Sequence, residues 1–182
     1  MIREFSIKLK PTNNKARTVF VSCMIAAFLL IMLSTLVELY HGLVSLVGMI
    51  FLVAAVTVYT KYLSVVFYYD ITLDSEGTPL FLVRQTIGKR QTTLCRIGLA
   101  EIKKVEKEDR SARKAHKTPT GFRKYAYLPT LDPDVVYRLT SVSRYEKSEL
   151  IIEISDELAE LIRSYSLEAA QMQSQAEENE EY

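Results

Sequence analysis

Two uncharged stretches decide the fold of this chain: Thr18-Val-Phe-Val-Ser-Cys-Met-Ile-Ala-Ala-Phe-Leu-Leu-Ile-Met-Leu-Ser-Thr-Leu-Val37 and His41-Gly-Leu-Val-Ser-Leu-Val-Gly-Met-Ile-Phe-Leu-Val-Ala-Ala-Val-Thr-Val-Tyr-Thr60. An α-helix of about 20 apolar residues crosses the roughly 30 Å hydrocarbon core of a bilayer, and each stretch is long enough to do so. Only a short turn separates them. The sequence therefore predicts a transmembrane helical hairpin over residues 18–60.

Basic residues on both sides of the hairpin predict its orientation. The segment 1–17 holds five Lys and Arg against one acid, and Lys61 follows the second stretch directly. The turn between the stretches carries Glu38 and His41 but no Lys or Arg. Because basic residues concentrate on the cytoplasmic side, we expect a multi-pass protein of the cell membrane with both termini inside. A cleavable signal peptide is the alternative for the first stretch, but that stretch is too long and a second one follows at once.

After residue 60 the pattern changes from helical to strand-like. Short runs rich in β-branched and aromatic residues alternate with turn residues, which predicts a cytoplasmic domain over residues 61–170. Seven segments fit strands, of which the fourth also fits a helical turn: 64–73, 79–87, 91–97, 99–105, 125–128, 134–142 and 148–154. Ser155 fits the N-cap of a final helix. Apolar residues then recur at helical spacing and predict one amphipathic stripe: Leu158, Leu161, Ile162, Tyr165 and Ala169.

Two segments lack the regular spacing of apolar residues that would let one face of a helix or strand be buried. Residues 103–124 are highly charged and poor in large apolar side chains, so we expect a mobile loop in the middle of this segment. Residues 171–182 are polar and acidic and predict a disordered tail.

Three stretches carry a resemblance to a known layout: Val83-Arg-Gln-Thr-Ile-Gly-Lys-Arg-Gln-Thr-Thr93, Tyr125-Ala-Tyr-Leu-Pro-Thr130 and Arg144-Tyr-Glu-Lys147. Together with the order of elements over residues 1–170, the chain resembles small bacterial membrane proteins with a two-helix hairpin and a cytoplasmic pleckstrin-homology-like (PH-like) domain. The resemblance implies an α+β protein in which a bent antiparallel sheet of about seven strands is capped by a C-terminal helix. The matching stretches are patterns of layout and contain no catalytic signature, and a shared fold does not by itself establish a function.

Enzyme and metal motifs are missing from the sequence. The 6 Gly residues form no phosphate-binding loop, and neither a nucleophile elbow nor a zinc-protease motif occurs. The 2 His residues, His41 and His116, fall on opposite sides of the predicted membrane and cannot share a metal. Cys95 has no histidine partner in the predicted layout, and Cys23 lies within a span. We therefore expect no enzyme, no catalytic residue, no metal and no cofactor.

A cluster of basic residues is the most suggestive functional feature. Between residues 84 and 124 the chain holds 13 Lys and Arg against 4 acids, whereas residues 125–182 hold 4 against 13. Anionic headgroups attract such clusters. We interpret the following residues as candidates for contact with anionic lipid, against the alternative of a solvated loop: Lys103, Lys104, Arg110, Arg113, Lys114, Lys117, Arg123 and Lys124. Nucleic acid is not expected, because no helix-turn-helix or basic–aromatic surface accompanies the charges.

These observations predict a non-catalytic binding or scaffolding module that is anchored at the inner leaflet. Its expected partners are membrane lipids and a protein that the sequence does not name. The alternative is a small accessory subunit of a transporter or channel, in which the hairpin would be the working part. Small residues such as Gly48, Ala54 and Ala55 leave two arrangements open, packing within the hairpin and a homo-oligomer.

Overall fold

The computed structural model describes residues 5–9, 13–36, 40–75, 77–143 and 146–180, with side chains up to residue 175. The chain divides into two compact units. One is the helical unit, Pro11–Val65, and the other combines Met1–Lys10 with Val66–Tyr182 and is called the β domain below.

Two long apolar helices form the helical unit, as the sequence predicts. Helix α1 covers Asn14–Ser34, and helix α2 covers His41–Val58 and continues into a π-helical turn, Tyr59–Leu63. Asn13 caps α1, because its Oδ1 accepts a hydrogen bond from the backbone N–H of Ala16. Both helices are long and apolar enough to cross a membrane. The predicted turn residue Glu38 lies outside the described residues.

Small residues let α1 and α2 approach closely. Ala27, Gly48 and Ala55 are buried, whereas Ala54 is exposed. A Cβ atom on Gly48 would lie 3.0 Å from Cγ1 of Ile31, so the helices meet at a position that only glycine fits comfortably. The opposite surfaces of the helices expose large apolar side chains, among them Phe28, Leu29, Leu43, Met49 and Val53.

The first sheet of the β domain has the strand order β1-β2-β3-β4. Its strands are β1 (Phe5–Leu9), β2 (Val65–Leu73), β3 (Pro79–Ile87) and β4 (Arg90–Gly98). β2, β3 and β4 match predicted strands, and the predicted turn at Gly88 and Lys89 joins β3 to β4. β1 was not predicted, since five residues of the segment 1–17 are too short to show a pattern. It pairs antiparallel with β2, with Phe5 opposite Ile71 and Leu9 opposite Phe67.

The second sheet has the order β5-β7-β8-β6. It is built from β5 (Ile102–Asp109), β6 (Arg123–Tyr127), β7 (Val135–Val142) and β8 (Lys147–Ile152). β6 pairs parallel with β8, whereas β5 and β8 pair antiparallel with β7. The mobile loop predicted in the middle of residues 103–124 is wrong where the short helix α3 (Arg110–Ala115) follows β5, and residues 116–122 connect α3 to β6. The residues that the structure describes thus form eight strands and a mixed second sheet, where about seven antiparallel strands were predicted.

The C-terminal helix α4 covers Asp156–Glu180 and lies against β5 and the 3₁₀ turn Leu99–Glu101 that precedes it. Ser155 is its predicted cap and accepts a hydrogen bond from the backbone N–H of Leu158. Leu158, Ile162 and Ala169 are buried, which confirms the apolar stripe; Leu161 and Tyr165 are half-buried. The helix continues to Glu180 through the segment where an acidic disordered tail was predicted, because that segment is rich in helix-forming Gln, Ala and Glu. Residues 181–182 lie outside the described residues.

Candidate functional site

A cleft of about 270 Å³ opens in the β domain between β4 and the strands β6, β7 and β8. We call it the polar cleft and define it by Cys95, Glu101, Tyr127, Ser141, Glu146 and Ser148. Its residues come from both sheets, so the cleft exists only when the two sheets are packed together.

Two serines form the inner wall of the polar cleft. Ser141 on β7 lies directly opposite Ser148 on β8, and their side chains therefore point to the same face of the sheet. Ser141 is 3% exposed and Ser148 is 8% exposed. No side-chain hydrogen bond joins either hydroxyl to another described residue, and both hydroxyls reach solvent in the cleft, since among the described residues the only fully buried side-chain polar atom without a partner is Oδ1 of Asp70. Both hydroxyls are therefore available to water or to a ligand in the cleft.

Tyrosines hold the two sheets together beside these serines. The hydroxyl of Tyr127 on β6 donates a hydrogen bond to the carbonyl of Leu94 on β4 at 3.2 Å. The hydroxyl of Tyr69 on β2 donates to the carbonyl of Tyr127 at 3.1 Å. Tyr125 donates to Oε1 of Glu146 at 2.9 Å, and its ring stacks against that of Tyr127 with centroids 6.3 Å apart. Hydrogen bonds from Tyr69 and Tyr127 therefore join the first sheet to the second beside the cleft.

Negative charge dominates the interior of the polar cleft. Glu101 and Glu146 both line it, and Arg96 lines it as well, but the guanidinium of Arg96 is bound to Asp74 at 2.6 Å. Arg123 lies 3.7 Å from Glu146, but its side chain is 74% exposed and solvent screens its charge. The cleft thus offers hydrogen-bond acceptors and unneutralised carboxylate to a ligand.

Burial and nearby negative charge raise the pKa values of two ionisable groups in the cleft, Cys95 and Tyr127. Burial raises the pKa of the Cys95 thiol to about 11, and the negative charge of Glu146 contributes to the rise. Burial also raises the pKa of Tyr127 to about 12, with further contributions from Cys95, Tyr125 and Glu146. Both groups are therefore neutral near pH 7. A protonated thiol is a poor nucleophile, so Cys95 is a weak hydrogen-bonding group near pH 7.

A second polar cluster lies on β5, β7 and β8 and is built around Arg138, which is 1% exposed. Its Nε and Nη2 donate to both carboxylate oxygens of Glu108 at 2.6 and 2.8 Å, and its Nη1 donates to Glu149 at 2.8 Å. The planar fork of arginine matches a carboxylate in this bidentate way. His116 follows α3, and its Nε2 lies 3.1 Å from Oε1 of Glu149. The cluster therefore ties the segment after α3 to the sheet, and we assign it a structural role.

Four of the predicted lipid-contacting residues are engaged within the protein. Arg110 and Arg113 both bind the carboxylate of Asp132, which adopts a left-handed backbone conformation with φ of 54°. Nζ of Lys103 donates a hydrogen bond to the carbonyl oxygen of Ala100 at 3.2 Å. Nζ of Lys104 lies 2.7 Å from Oε1 of Glu106.

The remaining predicted residues are distributed over α3, the segment that follows it and β6. Lys114 and Lys117 are exposed, and no ion pair joins them to another residue in the described part of the chain. Lys124 is exposed and acts electrostatically on Glu108, and Arg123 faces Glu146. The predicted cluster is thus spread over regular elements rather than gathered in one loop, and its contact with lipid stays a prediction.

The residues of the polar cleft were not predicted as a site, because Cys95 and Ser148 lie 53 positions apart in the sequence and the cleft residues share no motif. The serines at the facing ends of β7 and β8 were the only sequence signal, since polar residues at buried strand positions are unusual. Among the described residues, no group of three or more His, Cys, Asp or Glu is arranged to hold a metal ion. Comparison with protein-family models, with curated proteins and with solved structures finds no match to this chain.

Proposed function

We propose that this protein is a membrane-anchored, non-catalytic binding module whose β domain is held at the inner leaflet of the cell membrane. The helices α1 and α2 cross the bilayer, and the β domain recruits a partner on the cytoplasmic side. The observation that carries the proposal is the pairing of β1 with β2, because these strands flank the helical hairpin in the sequence.

This pairing constrains the topology of any membrane insertion. β1 precedes α1 and β2 follows α2, and five consecutive residues of β1 pair with β2. Strands in one sheet must lie on the same side of a bilayer, so the two ends of the hairpin do as well. The outward-facing apolar side chains of both helices suit a lipid environment, in which the backbone hydrogen bonds are satisfied within each helix. The basic residues around the hairpin favour the cytoplasmic side for the β domain.

The PH-like resemblance is part of this proposal. Two four-stranded sheets followed by a long C-terminal helix support it. The parallel pairing of β6 with β8 departs from the all-antiparallel layout that the resemblance implies. The resemblance therefore supports the general architecture of a binding domain, and the polar cleft is the candidate binding site.

Cysteine accessibility tests the topology. Cys23 and Cys95 would first be replaced by Ala, since these are the 2 Cys residues of the chain. His41→Cys and Ser155→Cys would then be introduced separately, and intact spheroplasts treated with a membrane-impermeant maleimide. We expect the first variant to react and the second to react only after the cells are lysed. Reaction of Ser155→Cys in intact spheroplasts would contradict the proposal.

Photo-cross-linking in native membranes tests the binding function. A photoreactive amino acid would replace Arg123, at the rim of the polar cleft, or Phe28, on the outer surface of α1. We expect a protein adduct from the position on the β domain. Adducts from the Phe28 position alone would favour the accessory subunit of a transporter or channel.

A further inference from the structure

The two serines of the polar cleft form an incomplete hydrogen-bonding site. Each hydroxyl can donate one hydrogen bond and accept two, and neither has a partner among the described residues. Side chains that are directly opposite in an antiparallel pair have Cβ atoms about 5 Å apart, so both hydroxyls can reach one small group between them. Ser141 is 3% exposed and lines the cleft, so its hydroxyl faces the cleft, where water or a ligand can bind it.

The charge of the cleft decides which group fits there. The carboxylates of Glu101 and Glu146 line the same space, and the faces of the stacked Tyr125 and Tyr127 rings attract cations. The nearby cations are occupied or screened: Arg96 binds Asp74, and Arg123 is mostly exposed. Although Arg96 also lines the cleft, its guanidinium is bound to Asp74, so the two carboxylates favour a cationic ligand over an anionic one.

We propose that the polar cleft binds a small organic ammonium ion, whose N–H groups donate to the hydroxyls of Ser141 and Ser148 and to the carboxylate of Glu146. An ammonium group has three donors and no acceptor, which matches this set of acceptors. The cleft volume of about 270 Å³ limits the ligand to a few heavy atoms beyond the ammonium group. This inference rests on the proposed binding function and specifies its ligand.

Three probes of similar size and different charge test the inference: ethanolamine, ethylene glycol and glycolate. Each would be titrated by calorimetry into the full-length protein in phosphatidylglycerol nanodiscs, with empty nanodiscs subtracted. We expect saturable binding of ethanolamine at one site and binding at least about tenfold weaker for the other two, since a hydrogen bond to a charged group contributes roughly this factor. No saturable binding of ethanolamine, or equal binding of glycolate, would overturn the inference.

Conservative substitutions locate the site. Glu146→Gln removes the charge but keeps an acceptor for the Tyr125 hydroxyl, and Ser141→Ala removes one hydroxyl. Each is expected to weaken ethanolamine binding by about tenfold or more, and Ser148→Ala provides a second serine variant should Ser141→Ala not fold. Ser164→Ala and Glu157→Gln, on the exposed side of α4, are the matched controls and should bind like the parent. Unchanged binding in the folded cleft variants would refute the assignment.

An ammonium group can come from a free amine or from a phospholipid headgroup. Repeating the titration in nanodiscs that contain phosphatidylethanolamine separates these sources. Loss of ethanolamine binding would identify the headgroup as the occupant, and retained binding would identify a free amine; both outcomes support an ammonium site. The cysteine-labelling pattern does not depend on this titration, so failure of the ligand assignment and failure of the membrane topology can be told apart.

Discussion

Lys8 on β1 lies directly opposite Tyr68 on β2, and its Nζ lies 5.9 Å from the centroid of the Tyr68 ring. These residues precede and follow the two apolar helices in the sequence. A cation over an aromatic face contributes about 0.5–1 kcal/mol at an exposed site, so the contact adds to the backbone pairing of the strands. The segment before α1 is therefore an integral part of the β domain, and a fragment that starts after α2 would lack an edge strand.

Replacing Arg138 by Met should destabilise the β domain by about 3–5 kcal/mol, because Glu108 and Glu149 would be left buried without their cation. Thermal and chemical unfolding of the full-length protein in detergent would measure this loss. The control is Lys104→Met, which breaks an exposed ion pair with Glu106 and should cost no more than about 1 kcal/mol. Equal stability of both variants would show that the Arg138 cluster is not a structural element.

Acid should destabilise the β domain through Glu108. Hydrogen bonds from Arg138 hold the pKa of Glu108 below its ordinary value of 4.5. A carboxyl group whose pKa is lowered by folding contributes stability above its unfolded pKa, and this contribution is lost as the pH falls through the folded pKa. Glu108→Gln should therefore flatten the decline in melting temperature below pH 4.5. Asp156→Asn removes an exposed carboxyl whose pKa Lys107 and Tyr137 also lower, and it should have the smaller effect.

Gly48→Leu should disrupt packing between α1 and α2. A Cβ atom at this position meets Ile31 at 3.0 Å and the carbonyl of Ala27 at 3.4 Å, and overpacking of this kind costs about 1–3 kcal/mol. Gly42→Leu is the matched control, since a Cβ atom on Gly42 has nothing within 4 Å. Unfolding of the helices in detergent, followed by circular dichroism, compares the two. Greater destabilisation by Gly42→Leu would contradict the observed helix contact.

Lys114 and Lys117 test the prediction that basic residues contact anionic lipid, since both are exposed, whereas Arg110 and Arg113 are bound to Asp132. A fluorophore on Thr118→Cys, in a background with Cys23 and Cys95 replaced, should be quenched by spin-labelled lipid in phosphatidylglycerol nanodiscs but not in phosphatidylcholine ones. High salt should weaken the quenching, because the Debye length shortens from about 8 Å. Replacing both lysines by Gln should abolish it, whereas Lys147→Gln should not. Equal quenching in neutral lipid would contradict the predicted contact with anionic lipid, and these lysines would then be charges that only water solvates.

The parts of the fold that could be predicted are those in which local pattern and burial agree. The apolar stretches formed helices, and the alternation in Val135–Val142 and Lys147–Ile152 formed a hairpin. β5 was predicted only in part, as a segment over 99–105 that also fitted a helical turn, because its buried residues Ile102, Val105 and Glu108 do not alternate along the strand. One of them is a charged residue whose burial depends on Arg138, a partner 30 positions away. The polar cleft depends likewise on contacts between sheets, which one sequence does not reveal.

A disulfide across the hairpin tests most directly the central claim that a membrane-crossing hairpin has both ends joined in one sheet. The variant carries Lys8→Cys and Tyr68→Cys, Ala in place of Cys23 and Cys95, and a protease site inserted between residues 36 and 40. Membranes would be oxidised, the protease added only from outside, and the products separated without reductant. The account predicts efficient cleavage with the two halves held together until reductant is added, because opposite strand residues lie within disulfide distance. Resistance to external protease, or halves that separate without reductant, would contradict it.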